Sequence, residues 1–222
     1  MSSIISDLQN RYTVKQYDAS KKISKDDMKV IEEALRLSVS SINSQPWKFI
    51  IIESDEAKQR FSDTFANKFQ FNQKHAKDAS AIILFCHNPY YTKNDYQKVI
   101  DADFAVGRIN PDISPERNRD EKLGAYVFAE LNTDNFGFNG NWTKAQTYIA
   151  FGNIIHTLAR MNIGSTSMEG IDIDLVKQSF SDELGGFECH VALAIGYSKK
   201  EEDYNAKLPK SRLPEKEVII NL

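Results

Sequence analysis

The 222 residues carry 28 Lys and Arg against 31 Asp and Glu, a formal charge of −3, with 41 % hydrophobic and 27 % charged residues. This balance suits a globular chain with a core of its own. It predicts a single domain over 1–222, since no linker is visible, and argues against nucleic acid as a partner because a phosphate-backbone surface shows a basic excess. No run approaches the roughly 18 apolar residues of a membrane span and MSSIISDLQNRY lacks a signal-peptide layout, so no membrane contact and a cytoplasmic location are expected.

In chain order, Ser24 and Asp27 predict a helix N-terminus, with Met28, Ile31 and Leu35 on one face and the helix running to about Ser38. KFIIIES (48–54) and SAIILFC (80–86) are β-branched apolar runs of strand length, expected to be buried on both faces. Between them DEAKQRFSDTFAN reads as a helix. Asp95 to Arg108 is another helix candidate, Asn110 to Asn118 a loop holding two of the six prolines, and 120–133 helical again. WTKAQTYIAFGNIIHTLARMNIG (142–164) is apolar on nearly every face, which predicts a helix buried on all sides with Gly164 as its stop. A strand-like STSME, a helix from about Asp172 to Phe180, a strand ECHVALAIGY (188–197) and a last strand VIINL complete the pattern.

Four or five strands with unevenly placed helices predict an α+β fold, a sheet sandwiched by helices. Neither G-x-G-x-x-G nor G-x-x-x-x-G-K-[ST] occurs, which disfavours the folds built on those phosphate loops. Cys86 and Cys189 lie in apolar runs and read as buried core thiols. The histidines 75, 87, 156 and 190 show no metal-ligand spacing, and no metal site is read.

Three polar stretches remain. SSINSQPW (40–47) places a row of hydroxyl and amide groups between a helix and a strand, more than a connection needs. In RYTVK (11–15), extended backbone puts Arg11, Thr13 and Lys15 on one face, two cations flanking a hydroxyl; a solvated turn is the plainer alternative. In LPKSRLP (208–214), prolines restrict a loop bearing Lys210 and Arg212, a point charge and a bidentate fork for phosphate, or else a basic surface loop. Together they suit a ligand with a phosphate at one end and a polar ring or chain at the other, a shape that flavin mononucleotide (FMN) has.

With RYTVK, SSINSQPWKF, FN at 71–72, MEG at 168–170 and LPKSR in this order over nearly the whole chain, the sequence resembles the FMN-dependent nitroreductase family, on the side of the bacterial oxygen-insensitive nitroreductases and the flavin oxidoreductases of luminous bacteria. The resemblance implies a mostly antiparallel central sheet in a homodimer, each sheet completed by the partner's C-terminal strand. Two FMN sites would lie at the subunit interface. Arg11, Thr13, Lys210 and Arg212 would hold the phosphate and ribityl end, and Ser40, Ser41 and Asn43 would reach the cofactor from the other subunit. Lys15 and Asn72 would face the pyrimidine edge, with Glu169 and Gly170 beside N5. A fixed lysine would offset charge arriving with a hydride.

The resemblance further implies NAD(P)H as co-substrate, ping-pong turnover, and small planar acceptors: nitroaromatics, quinones or free flavins. Lys15, His75 and Arg108 are the candidates for NAD(P) binding, and Glu169 and Phe128 for the substrate pocket. An ordinary core phenylalanine is the lesser alternative for Phe128, and Arg108 reads equally as a helix-end surface charge. His75 stands where close relatives carry lysine, with Lys74 adjacent. Ser167 replaces a proline and Ile42 a threonine of some members, and 109–127 is longer than in enteric relatives, so coenzyme preference and acceptor remain open. Other readings are a flavin-fragmenting or dehalogenating enzyme on the same fold, a non-catalytic flavin carrier, and a domain whose basic loops are merely solvated.

Overall fold

Two apolar strands form the centre of the computed structural model, which describes residues 3–222. In chain order the elements are α1 (Ser3–Asn10), α2 (Lys25–Arg36), β1 (Trp47–Ile52), α3 (Asp55–Asp63), α4 (Gln73–Asp78), β2 (Ala81–His87), α5 (Lys93–Ala105), α6 (Pro115–Gly124), α7 (Val127–Glu130), α8 (Gly140–Arg160), β3 (Gly164–Met168), α9 (Ile173–Ser179), α10 (Ser181–Leu184), β4 (Glu188–Gly196) and α11 (Glu215–Val218). The four strands run antiparallel in the order β1-β2-β4-β3.

Every residue of β2 is buried, and β4 is buried from Cys189 on, because both strands have neighbours on two edges and helices on two faces. On one face Ile82, Leu84 and Ala192 pack with Phe61, Phe65, Val176 and Phe180; on the other Ile83, Phe85 and Val191 meet Ile31, Leu35, Ile154 and Leu158. Each of these large side chains contributes roughly 1.5–3 kcal/mol. Between Phe85 and Cys86 the ladder shifts: Phe85 faces Val191 while Cys86 faces Cys189, so His190 is left without a counterpart. Both thiols are free and buried. Their mutual hydrogen bond, with burial, pushes the Cys86 thiol above its ordinary range.

Local signals set most helix starts. Ser24 Oγ accepts from Asp27 N at 3.0 Å, and Thr92 and Asp95 form a reciprocal capping box on α5. Between β2 and α8 the chain makes an excursion, 88–139, with a small core of its own: Tyr91, Tyr96, Ile100, Tyr126 and Ala129.

Several boundaries differ from the sequence expectation. The loop after α5 ends at Ser114, because Ser114 caps and Pro115 opens α6, and the expected 120–133 helix is split into α6 and α7. α3 stops at Asp63. α8 ends at Arg160, with Asn162 in the left-handed turn (φ 58°); Gly164 instead opens β3, where a Cβ would fall 2.5 Å from Val14. α8 is not buried all round, since Ile149 is 44 % exposed. β1 is only half-buried except at Ile52, as an edge strand must be. VIINL is not a strand: Val218 ends α11, and Ile219, Ile220 and Leu222 are exposed with no sheet edge beside them.

Candidate functional site

The segment 11–15 lies along β3: Thr13 bridges Ser165 in parallel fashion and Val14 N donates to Ser165 O at 3.1 Å. Val14 is buried and the residues on either side are half-buried, the alternation expected of extended backbone. A second clamp comes from the turn at 203–205. The fully buried Asp203 accepts from Lys15 N (2.7 Å) and Gln16 N (3.2 Å), and Asn205 Nδ2 donates to Thr13 O at 2.7 Å. Sequence reading missed both residues, although the Asp-x-Asn spacing is an Asx-turn signal: Asp203 also accepts from Asn205 N.

The same turn delivers LPKSR to RYTVK. Arg11, Thr13, Lys210 and Arg212 line one polar cavity of ≈ 410 Å³ with no acidic residue in its wall. Lys210 Nζ donates to Arg11 O, while Arg212 Nη1 is turned back on Ser211 O at 2.6 Å. Burial and then the neighbouring Arg212 lower the Arg11 pKa; burial and then Arg11 and Arg212 lower that of Lys210. Three cations thus crowd one cavity without a counter-ion, the electrostatic form of an anion site.

A second group forms around Gly170. Asn72, 5 % exposed, donates from Nδ2 to Gly170 O at 2.9 Å. Phe69, held at φ 58°, lays its ring so close to Gly170 that a Cβ there would lie 2.9 Å from it. For an aromatic residue that backbone is an outlier of the kind that clusters at functional sites. His75 is buried edge-on to Tyr17 at 6.3 Å; burial first, then Lys15 and Lys74, lower its pKa. Lys74 Nζ meets Gln16 Oε1 at 2.6 Å.

Glu169 is exposed and accepts from Tyr148 Oη, whose pKa is pushed up to about 12 by burial and then by that carboxylate. Tyr148 packs its ring, tilted by 53°, against His190 at 4.9 Å, and His190 meets His87 edge-on at 5.1 Å. The bulge in β4 turns His190 to the face that packs on α8, where plain alternation from Ile83 and Phe85 already puts His87. Neither ring nitrogen of His190 has a partner, and burial, then His87 and Lys144, lower its pKa from the ordinary 6.5 to about 3.

The loop 40–46 is separate from both groups; no hydrogen bond or ion pair joins them among the described residues. Ser41 N donates to Gln146 Oε1 on α8 at 2.8 Å, a partner 105 residues away. Ile42, Asn43 and Gln45 all sit at positive φ (52°, 55° and 45°). Ser40 Oγ accepts from Gln45 N at 3.0 Å. Arg108 and Phe128 belong to the excursion: Arg108 is exposed, 4.0 Å from Asp103, and Phe128 is 52 % exposed on α7.

Known proteins are similar to the chain over nearly its whole length. The chain is 56 % identical over 216 residues, 97 % of each chain, to the major NAD(P)H-flavin oxidoreductase of Aliivibrio fischeri. It is 33 % identical over 211 residues, 95 % of each, to the oxygen-insensitive NAD(P)H nitroreductase of Enterobacter cloacae. The fold matches the FMN complex of a nitroreductase-type protein from Exiguobacterium sibiricum, with a TM-score of 0.80 at 21 % identity over 100 % of this chain and 98 % of that one. The model of the nitroreductase family matches residues 8–197, and with these relatives the chain belongs to the nitroreductase family.

Proposed function

We propose that this oxidoreductase binds FMN and moves a hydride from NAD(P)H through it to nitroaromatics, quinones or free flavins, in ping-pong turnover. The observation that carries the reading is the convergence of Arg11, Lys210 and Arg212 on a polar cavity of ≈ 410 Å³ whose wall holds no acid. Three like charges repel until an anion joins them, and a phosphate accepts both the guanidinium forks and the ammonium. The names of the relatives from A. fischeri and E. cloacae, and the FMN held by the E. sibiricum protein, support the same reading.

When bound, FMN supplies the two-electron chemistry. The chain's part is to bind, orient and neutralise. Arg11, Lys210 and Arg212 hold the phosphate and Thr13 the ribityl end. Lys15 and Asn72 address the pyrimidine edge, where the lysine's charge offsets the negative charge that a hydride brings. Gly170, kept bare by the Phe69 ring, offers backbone beside N5, with Glu169 next to it. Lys15, His75 and Arg108 serve the nicotinamide nucleotide, and Phe128 lines the acceptor channel.

A homodimer completes the site. β3 has its outer side occupied by the 13–14 segment, which leaves β1 as the open edge of the sheet among the described residues. An open edge and an exposed apolar tail, Val218 to Leu222, are complementary liabilities. They support an arrangement in which each tail pairs with the other chain's sheet, while Ser40, Ser41 and Asn43 of one chain reach the FMN of the other.

An absorption spectrum of the purified protein tests the reading. A flavin band that bleaches anaerobically with NADH or NADPH, and returns with a nitroarene or quinone, is the expected result. No band after incubation with FMN would sink it. A monomer by light scattering would remove the shared-site arrangement alone.

A further inference from the structure

The excursion 88–139 sends three tyrosine hydroxyls out of its small core. Tyr91 Oη donates to Ser44 O at 2.7 Å and Tyr96 Oη to Ile42 O at 3.2 Å. Tyr126 Oη stays within the excursion, on Tyr91 O at 3.0 Å. All three side chains are buried; the Tyr91 and Tyr126 bonds are buried with them, and the Tyr96 bond is part-buried.

The two that leave the core end in a loop holding three of the five positive-φ non-glycine residues among the described ones. Ile42 is β-branched yet sits at φ 52°, followed by Asn43 at 55° and, one residue on, Gln45 at 45°. Such conformations persist only where the surroundings over-determine them. The loop's own bonds are Asn43 N to Ser40 O, Ser44 N to Ser41 O and Gln45 N to Ser40 Oγ, each at 3.0 Å, and Gln45 Nε2 to Asn43 O at 3.2 Å. They curl the segment but engage no carbonyl at 42 or 44. The buried Ser44 shows how tight the space is, for its own hydroxyl has no partner. The carbonyls of Ile42 and Ser44 are therefore aimed by Tyr96 and Tyr91, and Ser41 N by Gln146.

We propose that Tyr91 and Tyr96 are positioning residues for the cofactor. Their hydroxyls fix the carbonyls on either side of Asn43, and in doing so set the direction in which Ser40, Ser41 and Asn43 present themselves. The inference rests on the reading of loop 40–46 as flavin-binding. It adds that the excursion bearing Phe128, the proposed acceptor-channel residue, is fastened to the flavin loop by these two tyrosine hydroxyls, beyond the backbone bond from Asn88 N to Pro46 O (2.9 Å) at its start.

The test compares Tyr91→Phe, Tyr96→Phe and Tyr126→Phe. Each deletes one hydroxyl from the same core and lowers the melting temperature. The apoproteins are titrated with FMN by flavin fluorescence, beside a thermal melt of each. The FMN dissociation constant is expected to rise roughly tenfold for Tyr91→Phe and roughly threefold for the longer bond of Tyr96→Phe. For Tyr126→Phe it should stay within about 1.5-fold, since that hydroxyl does not touch the loop. Equal changes in all three, or none in the first two, would overturn the proposal while wild-type FMN binding left the underlying reading intact. A wild-type protein that binds no FMN would overturn both.

Discussion

Across β2 every side chain is buried and the backbone bonds along two ladders, with Phe85 wedged between Phe49 at 5.3 Å and Phe151 at 4.9 Å. Loop 40–46, which leads into the neighbouring strand β1, has the opposite character: polar side chains, three positive-φ residues, and hydrogen bonds borrowed from Tyr91, Tyr96 and Gln146 on distant elements. Stability is concentrated in the strand and strain in the loop. A change in the strand should be felt by the whole molecule, and one in the loop or cation cluster by a ligand.

The largest effect expected on the strand side is from Phe85→Ala, a loss of about 3–5 kcal/mol in urea unfolding because its ring leaves a cavity between two others. A loss below about 1 kcal/mol would show that the sheet core tolerates collapse there. On the ligand side, Arg11→Ala should weaken FMN by roughly 1.5–3 kcal/mol, roughly 10- to 150-fold, in fluorescence titration. Riboflavin, which lacks the phosphate, should bind the variant and the wild type alike. Equal losses for the two ligands would place Arg11 outside phosphate binding.

The third prediction probes a titratable group inside the strand region. His190 has its folded pKa depressed from 6.5 to about 3, so below pH 6.5 the unfolded chain binds a proton that the folded chain refuses. Its contribution to stability is whole above the unfolded pKa and is lost as pH falls toward the folded one. Between pH 7.5 and 5 this amounts to about 2 kcal/mol. His87 and His75, also depressed, act in the same direction. His190→Phe keeps a ring against Tyr148 without the unpartnered nitrogens and should flatten the dependence of urea midpoint on pH; an unchanged slope would exonerate His190. The smallest effect is on the loop. Gln45→Gly relieves a positive φ at an exposed residue and should raise stability by roughly 0.5–1 kcal/mol, where a glycine introduced into β2 would lower it. A loss at Gln45 would mean its Nε2 bond to Asn43 O outweighs the strain.

The same contrast explains what could be read without coordinates. β2, β4 and α2 were legible because burial and capping leave short-range marks: apolar runs, and Ser24 three residues before Asp27. The cation cluster was legible as two motifs, and Asn72 beside Gly170 as two more. Their junction, however, depends on Asp203 and Asn205, which reach back to 13–16 from nearly 190 residues on. Gln146 acts across 105 residues and the three tyrosines across 35 to 54, and none carries a local signature. Ile42 ran against its propensity, since a β-branched residue predicts extended backbone, and tertiary hydrogen bonds overrode it. The His87–His190 contact required a bulge, which strict alternation along a strand hides.

The facing thiols of Cys86 and Cys189 have a practical consequence. They are 0 % and 2 % exposed, on the two strands that share the longest ladder, and the Cys86 thiol resists ionisation. An alkylating reagent attacks thiolate and needs access, so neither sulfur can react until β2 and β4 part. The rate at which this protein takes up a thiol label is therefore a clock for the opening of its central sheet, readable with no probe introduced and no residue replaced.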